Sequence, residues 1–187
     1  MSQTASRVVL LLPGLVYSAQ RPLLHFAGAV FAKHGWAVRE VQWSEAPPHR
    51  DGQDLPAWFA RQRAFVQEQV GRILDGAGAA RVALAGKSLG AFAAGLAADR
   101  GLPGVWLTPV LRDSPVPGDL RRASAPFLLV GSTADPAWEP GIARSFGRPV
   151  FEAADADHSM EIAGEPVRSA ELLVRITAAV DDFVAHL

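Results

Sequence analysis

Residues 82–90 read V-A-L-A-G-K-S-L-G, and a run of small residues, A-F-A-A-G-L-A-A at 91–98, follows at once. An apolar segment that ends in G-x-S-x-G and runs straight into Ala- and Gly-rich sequence is a strand, a sharp turn and a helix, with Ser88 at the apex. Such a turn holds the serine in a strained backbone conformation. Its hydroxyl is lifted above the sheet, with a helix N-terminus behind it. Gly86 and Gly90 are required because side chains there would collide where strand and helix nearly touch. The Ala/Gly face at 91–98 is what close packing of a helix on a sheet demands. G-x-S-x-G also arises as an ordinary turn, so the reading depends on partners elsewhere in the chain.

G-K-S also closes the phosphate-binding loop G-x-x-x-x-G-K-[ST]. Here Arg81 stands where that loop needs its first glycine, and residues 82–85 read as strand rather than as a glycine-rich cradle. Nucleotide hydrolysis is set aside on that ground.

The partners of Ser88 follow in a specific order. F-L-L-V-G at 127–131 is an apolar run followed by Ser132, Thr133, Ala134 and Asp135. A shorter run, P-V-F at 149–151, leads into an acidic loop, D-A-D-H-S-M at 155–160, which carries His158. Ser88, Asp135 and His158 are each just past a strand and are about one strand–helix unit apart. Ser, then Asp, then His is the chain order of one of the three known arrangements of this triad. His25 and His34 fall on a helical segment, His49 in a loop before the turn and His186 at the chain end, so each fits worse as a base. Asp135 also reads as a turn residue before Pro136, and both roles are compatible. Asp155 and Asp157 are rivals for the acid, less favoured because neighbours along a loop rarely point at the imidazole. Glu139 is more distant.

On these motifs the chain resembles the α/β-hydrolase superfamily, and within it the small, cap-less serine esterases of the dienelactone-hydrolase-like branch. The resemblance covers nearly the whole chain, from Val8 onward. It implies a three-layer α/β/α sandwich around a mostly parallel sheet of about six strands, with no cap domain. It also implies two backbone donors for an oxyanion. One is the N–H of Leu89 at the start of the helix after Ser88. The other comes from the turn Pro13-Gly14-Leu15-Val16, with Leu15 preferred over Val16. Lys87 departs from many relatives and is expected to be solvated. Tyr17, Trp106 and Trp138 fall near strand ends on the expected catalytic edge and are candidates for a pocket wall, although core packing is as good an account of each.

Alternation of elements along the chain agrees with a parallel sheet. Strands are expected over residues 7–12, 36–43, 81–85, 105–107, 127–131 and 148–151. Helices are expected over 22–34, 57–74, from 91 onward and 169–187, the last with apolar residues at helical spacing. Residues 46–56 read as a Pro- and Asp-rich loop, and 108–122, with Pro109, Pro115 and Pro117, as another.

Composition bounds the remaining choices. A chain of 187 residues with 49% hydrophobic content can build one good core, so 1–187 is expected to be a single domain. A net charge of −1 with scattered Lys and Arg leaves no footprint for nucleic acid. There is no cysteine, which removes disulfide and thiol chemistry. No apolar run approaches the ~20 residues that span a bilayer. Residues 1–19 weakly mimic a signal peptide, but Pro13-Gly14 interrupts the run and cleavage near Ala19 would remove a central strand, so a cytoplasmic setting is expected.

The resulting expectation is a hydrolase of carboxylic esters or related acyl bonds of a small accessible substrate. Ser88 acts as nucleophile, His158 as base and Asp135 as the acid that orients it, and no metal or cofactor is required. A non-catalytic binding or scaffold protein on the same fold, and acyl transfer to an acceptor other than water, are the alternatives. Oligomeric state is not legible.

Overall fold

Strands buried on both faces read as unbroken apolar runs, and that is how four strands of this chain are placed. The computed structural model describes residues 7–76, 78 and 81–187. Residues 1–6 of the signal-like segment lie outside them. Six strands form one sheet: β1 (Arg7–Leu12), β2 (Ala37–Glu40), β3 (Arg81–Lys87), β4 (Gly104–Leu107), β5 (Phe127–Ser132) and β6 (Val150–Ala153). Their order is β2-β1-β3-β4-β5-β6, and every pairing is parallel.

Period-two alternation sends successive side chains to opposite faces. Val9, Leu11, Ala83, Ala85, Val105, Leu107, Leu128 and Val130 pack on one face with α1 (Pro22–Lys33) and α6 (Pro166–Val184). Leu10, Leu12, Leu84, Trp106, Phe127 and Leu129 pack on the other with α2 (Leu55–Asp75), α3 (Ala94–Arg100) and α4 (Val116–Arg121). Full burial of each large side chain is worth about 1.5–3 kcal/mol, so the two cores hold the strands in one register. The expected three-layer α/β/α arrangement is thus observed.

Several local expectations are corrected. β2 is shorter than residues 36–43, and all four of its residues are exposed, because it is an edge strand with Trp36 and Val41 as the buried anchors at its ends. The segment 108–122 is not all loop: α4 forms within it, starting at the prolines. Proline suits a first helical turn, where its missing N–H is no loss. The buried Asp119 of α4 accepts two hydrogen bonds from Arg63 of α2, at 2.6 and 2.7 Å, and one from Arg122. A further short helix, α5 (Pro140–Ser145), again begins at proline. The last strand lies two residues later than expected, and α6 starts at Pro166 rather than 169.

The strand order reverses between β1 and β3, since the chain runs outward from β1 to β2 and then returns. In open α/β sheets the crevice outside the carboxyl ends of the strands at such a reversal is where ligands bind. The loops leaving β1 and β3 therefore flank the place to look for a site.

Candidate active site

β3 ends at Lys87 and the chain turns at Ser88, whose φ of +52° lies in the left-handed region that a non-glycine residue rarely adopts. The turn is tight enough to need both glycines. A Cβ at Gly86 would lie 2.6 Å from the carbonyl oxygen of Gly90, and one at Gly90 would lie 2.2 Å from that of Leu12. The chain then forms a 3-10 helix over Ser88–Ala93 before α3, so the helix after the turn starts earlier and tighter than residue 91. Its first N–H groups have no intrahelical acceptor, and that of Leu89 is one of them.

Three distant side chains meet above this turn. Ser88 Oγ lies 2.8 Å from His158 Nε2, and His158 Nδ1 lies 2.7 Å from Asp135 Oδ2. A carboxylate can only accept, which places the ring proton on Nδ1 and leaves Nε2 to accept from the serine hydroxyl. Asp135 is almost fully buried at 2% exposure, and its other oxygen accepts the N–H of Ala137 at 2.9 Å. It is therefore a turn residue as well as the partner of His158. The imidazole remains partly open to solvent.

The rival acids are occupied elsewhere. Asp157 Oδ1 accepts the N–H groups of Ser159 and Glu161 and so shapes the loop around His158. Asp155 pairs with Arg168, and Glu139 with Arg112. Ser132, which sequence reading passed over, ties the loops together: its fully buried hydroxyl accepts the N–H groups of Ala134 and Ala156. A serine at the end of an apolar strand, three residues before an aspartate, is the only signal that pointed to it.

The loop after β1 crosses beside Ser88. Gly14 N–H donates to the carbonyl of Tyr17 at 2.9 Å, curling residues 14–17 into a turn. Leu15 and Val16 form its exposed apolar tip, at 47% and 87% exposure, one residue beyond Gly14, where a Cβ would lie 3.4 Å from the carbonyl oxygen of Lys87. Tyr17 is buried, and its hydroxyl accepts the N–H of Leu23 at 3.0 Å. Burial raises the Tyr17 pKa above its ordinary value. Two cavities of about 470 and 460 Å³ lie to either side of this residue. The first is walled by Leu23, Met160, Ile162 and Leu173 beside the His158 loop, and the second by residues of the Leu15 loop together with Val41 and Trp43. Another cavity, of about 500 Å³ between Pro126, Pro149 and α6, opens at the amino ends of β5 and β6, away from Ser88.

One open alternative is decided and one expectation fails. Trp106 and Trp138 do not line a pocket. Both indoles are buried at 1% exposure, and each lies where a neighbouring glycine leaves room: Gly104 for Trp106, Gly131 for Trp138. Lys87 is not solvated. It is 3% exposed, and burial lowers its pKa to about 8, against the attraction of Asp135 and Asp157. Among the described residues, no group of three or more His, Asp and Glu is arranged to hold a metal ion.

Neither a family model nor a curated protein sequence matches the chain. Solved structures do. Est1E from Butyrivibrio proteoclasticus aligns with a TM-score of 0.70 at 11% identity over 98% of this chain and 88% of its own. An α/β serine hydrolase without lid from Xanthomonas campestris aligns at 0.61 and 14% over 96% and 83%. The Pyrococcus furiosus esterase Pf2001 aligns at 0.61 and 14% over 95% and 83%. The chain has the α/β-hydrolase fold, and among the described residues no segment forms a cap. No helix among them is long and apolar enough to cross a membrane.

Proposed function

We propose that the protein is a serine hydrolase that cleaves carboxylic esters or related acyl bonds of a small, accessible substrate. The observation that carries this reading is the unbroken hydrogen-bonded chain from Ser88 through His158 to Asp135, on a turn whose strain lifts the serine clear of the sheet. Serine is a weak nucleophile at neutral pH and becomes reactive only with a base at hydrogen-bond distance. Ser88 Oγ attacks the acyl carbon while His158 Nε2 takes its proton. Asp135 holds the imidazole in the required tautomer and stabilises the imidazolium. The N–H groups of Leu89 and Leu15 receive the developing oxyanion. His158 then returns the proton to the leaving alcohol, and water releases the acyl group by the same steps in reverse order.

The esterases among the similar structures favour this chemistry over a scaffold role. A single domain over 1–187 in a cytoplasmic setting belongs to the same proposal. With no cap over Ser88 and only the apolar Leu15–Val16 tip on the loop after β1, the site is open, which suits short acyl chains. A series of p-nitrophenyl esters tests this. Turnover is expected with acetate and butyrate and should decline by at least about tenfold toward long chains, where one such tip covers too little apolar area. Absence of turnover with every ester, in folded protein, would remove the esterase reading. Product analysis with an added alcohol separates hydrolysis from acyl transfer.

A further inference from the structure

Lys87 precedes Ser88 in the chain but points the other way. Ser88 stands above the sheet edge, whereas Lys87 continues the alternation of Ala83 and Ala85 and enters the face covered by α1 and α6. There its stem supports the loop after β1. A Cβ at Gly14 would lie 3.2 Å from Lys87 Cδ and 3.1 Å from Tyr17 Cβ, so the main chain at Gly14 rests directly on the lysine. The ammonium sits over the Tyr17 ring, 5.0 Å from its centre. A cation over an aromatic face is attracted by the ring quadrupole, most strongly when desolvated. Lys87 is also attracted by the carboxylates of Asp135, on the loop after β5, and Asp157, on the loop after β6. One buried cation thus touches the loop that carries Leu15 and attracts the two loops that carry Asp135 and His158.

We propose that Lys87 is a positioning residue of the Ser88 site, whose buried positive charge locks the Leu15 loop to the loops of Asp135 and His158. The inference rests on the esterase reading above. Burial of an ammonium is costly, and here the cost is visible as a pKa lowered to about 8. An apolar side chain of the same length would fill this slot with less penalty. The charge therefore opposes folding, and its effect is on the geometry of the loops it joins. The Leu15 N–H engages only the oxyanion of the transition state, so loosening its loop lowers kcat rather than raising KM.

Other ionisable groups face this cluster. Arg21, at the start of α1, also lies over the Tyr17 ring, with its guanidinium 5.0 Å from the ring centre, and its charge lowers the Lys87 pKa. Glu161 and Asp157 act on Tyr17, whose own pKa is raised. His158 bonds Asp135 on the side of Ser88. With Tyr17 ionising above its usual range, loss of the Lys87 proton is the change that falls near pH 8. The ammonium holds the loops below that pH, and the hold is lost as pH rises through it.

The test measures steady-state ester hydrolysis and the rate of Ser88 labelling by a fluorophosphonate, from pH 6 to 9.5, for wild type, Lys87→Met and Lys87→Arg. Wild type should lose activity above about pH 8. Lys87→Met should show kcat lowered by about 10- to 100-fold, KM within about twofold, no such alkaline limb and no loss of thermal stability at pH 7. Lys87→Arg keeps the charge and should recover part of kcat with the limb displaced to higher pH. Lys87→Met with kcat within twofold of wild type and the same limb overturns the proposal. If Lys87→Met does not fold, an unchanged limb in Lys87→Arg overturns it. Wild type that is neither labelled nor active removes the esterase reading and this inference together, whereas labelled wild type with indifferent Lys87 variants removes only the inference.

Discussion

Ser88→Ala will abolish ester turnover, lowering kcat by about 10⁵- to 10⁶-fold, and will leave the fold intact. The loss is large because, among the described residues, the Ser88 hydroxyl is the only hydrogen-bond partner of His158 Nε2. The stability effect is small for separate reasons. Ser88 is only partly buried, and the substitution removes one hydrogen bond, worth about 1 kcal/mol. Alanine pays the same strain at φ +52° as serine, so the turn is neither relieved nor newly stressed. For a chain of this size 1 kcal/mol corresponds to about 2–4 °C, and a Tm within that range of wild type is expected. Thermal melts monitored by circular dichroism check the second half, and hydrolysis of a short p-nitrophenyl ester checks the first. Retained turnover would take Ser88 out of the mechanism.

Asp135→Asn is expected to lower kcat by about 10³- to 10⁴-fold. The amide is nearly isosteric, and its oxygen can still accept the N–H of Ala137. With that oxygen so engaged, the amide nitrogen faces His158 Nδ1 and can only donate. The imidazole then carries its proton on Nε2, where it can no longer accept from the Ser88 hydroxyl. The geometry survives and the base does not. KM should change little, because the carboxylate touches the histidine and not the substrate. A loss under tenfold would assign the acid to Asp157 or Asp155, against their present engagement with the backbone of their own loop and with Arg168.

Much of this architecture is readable from residues because its physics is local. Leu84, Val105 and Leu129 belong to strands covered on both faces, and such strands cannot alternate with polar residues. Gly86 and Gly90 bracket a turn that no other residue could make. The order of Ser88, Asp135 and His158 follows from where those strands end.

What escaped the sequence depends on contacts between distant segments. Pro115 and Pro117 read as part of a loop, yet a short helix starts at them, because proline interrupts a helix only after its first turn. Trp106 and Trp138 fit a pocket wall and a core equally well until Gly104 and Gly131 are seen to vacate the space they fill. Lys87 is buried against Gly14 and Tyr17 of the loop after β1, and no pattern within the chain reports that contact.

The central claim, that Ser88 is a nucleophile activated by His158 and Asp135, is tested most directly by mass spectrometry of the intact protein and its peptides after treatment with a fluorophosphonate. The account predicts one adduct, on Ser88, that forms at least about 10³-fold more slowly in His158→Ala. A folded wild type that takes no adduct, or takes it at another residue, would contradict it.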